Sequence, residues 1–149
     1  MRPIDTIIVH CSATPEGRDV SVSEIRKWHK ARGWSDIGYH FVITLDGTMN
    51  VGRPIEKIGA HAKGYNRKSI GICYIGGTDS EGNPKDTLTE TQEAAMQALI
   101  LELKKSYPTI EKLIGHNEVS SKACPSFKVS DKFTPVSYTH LTLPTIYSV

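Results

Sequence analysis

Two histidines and one cysteine stand where apolar strand sequence gives way to loop. His10 closes the β-branched run Thr6-Ile7-Ile8-Val9, His116 follows the short stretch Lys112 to Gly115, and Cys124 precedes Pro125 in a polar segment. Two imidazoles and a thiolate form a donor set that zinc accepts readily, and three protein donors leave the fourth tetrahedral position open, as in hydrolytic rather than structural sites. The spacing of His116 and Cys124 matches no short zinc-finger pattern, so donor type alone carries this reading. A hydrogen-bonded histidine at each strand end explains the same residues without a metal. A thiol hydrolase using Cys124 or Cys11 with a histidine base is a third reading. From the residues alone all three stand open.

The other chemistry-bearing groups have quieter explanations. His29 shares a predicted helix with Trp28, which suits packing, and His40 follows Tyr39 on a predicted strand, so the two side chains point to opposite faces. By the same alternation Cys11 points away from His10 and reads as a buried thiol, as does Cys73. Asn117 and Glu118 either orient ligands from the adjoining loop or are simply solvated. Three cysteines at irregular spacing make no disulfide framework.

The elements that must position these groups follow from periodicity and turn chemistry. Thr6 to Cys11 reads as a buried strand and Ser12 to Gly17 as a loop. Ser21 with Glu24 is a capping box opening a helix whose apolar positions are Ile25, Trp28 and the stem of Arg32, with Gly33 placed to end it. Tyr39 to Leu45, Asp46-Gly47 and Thr48 to Val51 predict a hairpin. Ser69 to Ile75 reads as a central strand ended by Gly76-Gly77, with a surface loop over Asp79 to Lys85. Thr89 with Gln92 repeats the capping box for a helix to about Lys105, whose stripe is Met96, Leu99, Ile100 and Leu103. Lys112 to Gly115 is a short strand delivering His116. This order predicts an α/β (α+β) fold, a single domain with one mixed central β-sheet flanked by helices.

The whole-chain properties narrow the function classes. At 149 residues the chain fits one domain. A net charge of +2, from interspersed charges of both signs, gives no footprint for nucleic acid. Met1-Arg2-Pro3-Ile4-Asp5 lacks the pattern of a secretory signal and no window has the length of a membrane span, so the expectation is a chain cytoplasmic on synthesis, without membrane insertion. Residues 136–149 fit the rest poorly: the stretch from Val136 to Thr145 resembles a translation of the transposon adapter used to prepare sequencing libraries. The domain is therefore drawn over 1–135 and 136–149 is set apart as a non-native tail, to which His140 belongs. The other reading of that stretch is an exposed C-terminal strand.

The segments IIVHCSAT, RKWHKARGWSDIGYHFVI, DGT, GAHAKGYNRKSIGICYIGG and GHNEVSSKACPSF, in this order, resemble the bacteriophage lysozyme-type N-acetylmuramoyl-L-alanine amidases of the type 2 amidase and peptidoglycan-recognition superfamily. The similarity runs from about Ile7 to about Phe127. It implies one zinc ion per chain on His10, His116 and Cys124, at one end of a substrate groove, and hydrolysis of the amide between N-acetylmuramic acid and L-alanine in peptidoglycan. It also places Tyr39 beside the metal, to orient water or pass a proton, and Lys122 near the developing oxyanion. His61 falls in a loop that borders the groove in the family, where a substrate contact is expected, an exposed loop histidine being the other reading. All the matched positions hold the family's residue types, which implies an active enzyme, a phage or prophage endolysin acting on the wall after release, and as a monomer. The competing expectation is a non-catalytic peptidoglycan-binding module, which arises in the superfamily when the cysteine ligand is replaced. One departure stands out: family members close the domain with a helix after the CPSF segment, represented here only by Lys128 to about Pro135.

Overall fold

A computed structural model describes residues 2–133, so the segment 136–149 and His140 lie outside the described residues. In chain order the elements are β1 (Thr6–Cys11), β2 (Thr14–Pro15), α1 (Val22–Ala31), β3 (Phe41–Ile43), β4 (Met49–Val51), β5 (Ser69–Tyr74), β6 (Gly77–Thr78), α2 (Glu90–Ser106) and β7 (Lys112–Gly115). Five strands form one mixed sheet in the order β4-β3-β5-β1-β7, and β2 pairs with β6 in a separate two-stranded ladder.

The sequence of β1 explains its place. All six of its residues are buried, and it pairs in parallel with β5 on one side and β7 on the other. A strand covered on both faces reads as a continuous apolar run. Its alternate side chains still go to different layers. Ile7, Val9 and Cys11 pack with Ile70, Ile72 and Tyr74 of β5 and with Met96, Leu99, Ile100 and Leu103 of α2. The opposite face holds Val42, Cys73 and Ile75 against Val20, Ile37 and Ile25 of α1. The two helices therefore cover opposite faces, and His10 emerges on the α1 side.

Both helix starts carry the expected N-cap, with the reciprocal box at α2 and the Ser21 half of it at α1. Ser21 accepts from the Glu24 backbone N–H at 3.2 Å, and Thr89 and Gln92 close a reciprocal capping box at α2. The expected stripe of α1 needs correction. Its buried residues are Ile25 and His29, while Trp28 is 38% exposed beneath the Arg18 guanidinium. One turn at i, i+4 faces the sheet squarely, whereas i+3 is rotated toward the edge of the contact.

Two further differences are local. Regular strand geometry starts at Phe41 rather than Tyr39, because His40 turns inward, its Nδ1 accepting from Gly71 N–H at 3.1 Å and its Nε2 donating to the Lys57 carbonyl at 2.8 Å. The loop after Cys11 contains β2, whose pairing of Thr14 with Gly77 joins segments too short to carry any periodic signal.

Candidate metal centre

Parallel pairing sets the first two donors side by side. Val9 of β1 lies opposite Gly115 of β7, so His10 and His116 leave the carboxyl ends of neighbouring strands, the edge where open α/β sheets gather ligands. Their ring centroids are 4.6 Å apart. Gly115 is needed here: a Cβ on it would stand 2.6 Å from Asn117 Oδ1 and 3.0 Å from Pro125 Cδ.

The third donor arrives on a loop tied down from three directions. Tyr74 Oη donates to the Pro125 carbonyl at 2.7 Å, Ser126 Oγ to the Gly77 carbonyl at 2.8 Å, and Asn117 Nδ2 to the Phe127 carbonyl at 3.1 Å. Glu118 in turn accepts from Gly115 N–H at 2.7 Å, so Asn117 and Glu118 both brace the loops, Glu118 while remaining exposed. Cys124 Sγ thereby comes within 3.8 Å of His10 Nδ1 and accepts from the Cys11 backbone N–H at 3.1 Å. Such an N–H favours the thiolate.

One donor atom from each of His10, His116 and Cys124 lies within 4.8 Å of the others. Donors tetrahedral about zinc at about 2.0–2.3 Å stand roughly 3.3–3.8 Å apart, so a small contraction completes the set. The electrostatics agree. Burial, then His61, His116 and Lys122, hold His10 well below the usual imidazole range, while burial and Lys122 lower His116. Both imidazoles are therefore neutral at pH 7, the form a metal requires. The Cys11 thiol and burial push the Cys124 thiol upward, so it ionises when a cation arrives. Cys11 is buried as expected, yet its thiol contacts Cys124 rather than lying apart from the site.

The remaining expected residues converge on the same place. His10, His116, Cys124, Tyr39, Lys122 and His61 all line one groove of about 880 Å³. The Lys122 ammonium is near enough to act electrostatically on both histidines. Tyr39 has its ring centroid 5.1 Å from that of His10, and its hydroxyl hydrogen-bonds the buried Cys73 thiol. Burial holds this phenol well above its ordinary range, so it acts as a neutral donor. His61 stands behind His10 with Nδ1 at 2.8 Å from His10 Nε2, its other nitrogen turned toward Ser69 rather than the groove. His29, read above as a packing residue, also reaches the groove wall. It accepts from Gly38 N–H at 2.9 Å, its ring is 5.4 Å from Tyr39, and burial lowers its pKa to about 4. Nothing local in the sequence separates that role from packing, since both put the residue on the buried face.

Known proteins share this architecture. The family profile described as N-acetylmuramoyl-L-alanine amidase matches residues 1–127. The endolysin of Klebsiella phage KP32 is 51% identical over 121 residues, 81% of this chain and 80% of that protein. The endolysin of Escherichia phage T7 is 48% identical over 123 residues, 83% of this chain and 81% of that protein. Among solved structures, the N-acetylmuramoyl-L-alanine amidase LysC from Clostridium intestinale URNW superposes with a TM-score of 0.75 at 32% identity, covering 85% of this chain and 79% of that one.

Proposed function

The chain belongs to the N-acetylmuramoyl-L-alanine amidase family, and on that premise we propose that it works through one zinc ion held by His10, His116 and Cys124. Its reaction is hydrolysis of the amide joining N-acetylmuramic acid to L-alanine in bacterial peptidoglycan. The observation that carries the metal assignment is the convergence of three donor atoms to within 4.8 Å at the carboxyl edge of the sheet. Zinc bound there supplies Lewis acidity toward the carbonyl oxygen and activates water near neutral pH.

The chain's own residues do the rest. Neutral His10 and His116 offer lone pairs, and the Cys11 N–H steadies the Cys124 thiolate. Attack on an amide builds negative charge on the former carbonyl oxygen, and the Lys122 ammonium beside the donors offsets it. Tyr39 stays a neutral phenol, and its hydroxyl, once turned from the Cys73 thiol toward the groove, orients the attacking water or the departing nitrogen. The similarity to phage endolysins supports action on the cell wall after release from the cell that made it. All three donors come from a single chain, so the proposed site needs no second copy to be complete.

The test is hydrolysis of purified peptidoglycan, counting new alanine amino groups and new reducing ends. Amines that disappear with a chelator and return with zinc, with no new reducing ends, are the expected result. Activity that survives chelation but is abolished by thiol alkylation would give the reaction to a cysteine nucleophile instead. No cleavage by folded, zinc-loaded protein would leave a peptidoglycan-binding module.

A further inference from the structure

We infer that His61 is a positioning residue that fixes His10 in the tautomer whose bare Nδ1 faces the metal; this rests on the zinc reading above. The inference comes from following one chain of hydrogen bonds to its end. Tyr65 presents a backbone carbonyl, which only accepts, and Ser69 Oγ lies 2.7 Å from it. The single hydroxyl proton of Ser69 therefore goes to Tyr65. His61 Nε2 lies 3.3 Å from the same Ser69 oxygen, which has lone pairs left and no proton to give, so Nε2 is the donor. A neutral imidazole has one N–H, which leaves His61 Nδ1 as an acceptor. His10 Nε2, 2.8 Å away, must then carry the proton of His10. Nδ1 of His10 is left with its lone pair on the side of Cys124 Sγ, 3.8 Å away. Reversing any bond in the series would protonate Nδ1 and close it to a metal.

The segment from Gly59 to Gly71 is built around this imidazole. A Cβ on Gly71 would stand 2.7 Å from His61 Cγ and Cδ2, and one on Gly59 would stand 2.8 Å from His61 Cδ2. Both glycines thus leave the slot that the ring fills. Asn66 Oδ1 accepts from the backbone N–H groups of His61 and Ala62 at 3.0 and 2.9 Å, clamping the loop that carries it. His61 is 9% exposed, and its ring sits edge-on to His10 with centroids 4.8 Å apart. An imidazole used mainly to touch substrate would keep a nitrogen free toward the groove; here both are engaged inside the protein.

The measurement is the proton position on His10 in the metal-free protein, read from two-bond 1H–15N correlations, together with zinc affinity by competition with a chromophoric chelator. Wild-type protein is expected to carry the His10 proton on Nε2. His61→Leu, which keeps bulk and removes the acceptor, is expected to mix the His10 tautomers and weaken zinc binding by about 10- to 100-fold. His61→Asn places an amide oxygen near the position of Nδ1 and is expected to recover most of that loss. A wild-type His10 proton on Nδ1, zinc affinity unchanged in His61→Leu, or equal losses in both variants would overturn the inference. Should the Leu variant fail to fold, the wild-type spectrum alone still decides. Failure of wild-type protein to bind zinc would instead sink the zinc reading, and the spectrum distinguishes the two failures.

Discussion

The Tyr74 hydroxyl, at the end of a central strand, donates to the backbone carbonyl of Pro125, the residue next to the third donor, at 2.7 Å. Tyr74 is fully buried in the α2-side core, so this bond couples the packing of one face of the sheet to a site that opens on the other. Replacing Tyr74 with Phe leaves a buried carbonyl without its partner. We expect a loss of about 1–3 kcal/mol in stability and weaker zinc retention, measured by urea unfolding and chelator competition. Lower stability with unchanged zinc affinity would show that the Cys124 loop is held by its other two ties alone.

Lys122 acts on both histidines through space and is exposed, so its replacement should leave the fold intact. Lys122→Ala is expected to lower kcat by about 10²- to 10³-fold, the range seen when an oxyanion stabiliser is removed. Zinc content should stay at the wild-type level. A variant that loses its zinc along with its activity would place Lys122 in site assembly instead.

Zinc uptake should release a proton, and the source is identifiable. His10 and His116 are already neutral at pH 7.5, whereas the Cys124 thiol is held in its protonated form by Cys11 and burial. Calorimetric titration in buffers of different ionisation enthalpy is expected to show about one proton released per zinc. Cys124→Ser should abolish tight binding. Release of about zero protons would mean that the thiolate is already present before the metal.

Acid should destabilise the metal-free protein through its buried imidazoles. Burial lowers His29 and His40 to about 4 from an ordinary 6.5, and lowers His10 and His61 in the same direction. Between those values the unfolded chain binds protons that the folded chain refuses. Their contribution is therefore complete above pH 6.5 and is lost as pH falls toward 4. Urea midpoints measured over that window should decline steadily with falling pH. A midpoint independent of pH from 6.5 to 4 would contradict the neutral, buried state of these rings.

How far the fold could be read ahead depended on the range of the interactions. The α2 stripe and both N-caps are local, set by residues three or four apart, and each lies where its pattern puts it. The donor set had types but no spacing rule, so His10, His116 and Cys124 became a defined site only through the family resemblance. Contacts made across the fold left no local trace. His61 meets His10 across 51 positions, and Cys11 meets Cys124 across 113, so no periodic pattern announces either pair. Trp28 misled for another reason. Its size suggests burial, but its angular position on α1 sends it to the groove, and the smaller His29 takes the inward place.

The central position of β1 sets a schedule for making the enzyme. It comes first among the described strands, yet its two hydrogen-bonding edges belong to β5 and β7, and β7 is the last strand in the described chain. Until residue 115 exists, at least one edge of that apolar strand stays unpaired. A topology so dominated by distant pairings folds slowly compared with helical domains, because loop closure comes before its reward. The donor on the 120–127 loop is younger still, so the three-donor set cannot come together on a nascent chain before residue 124 has been made.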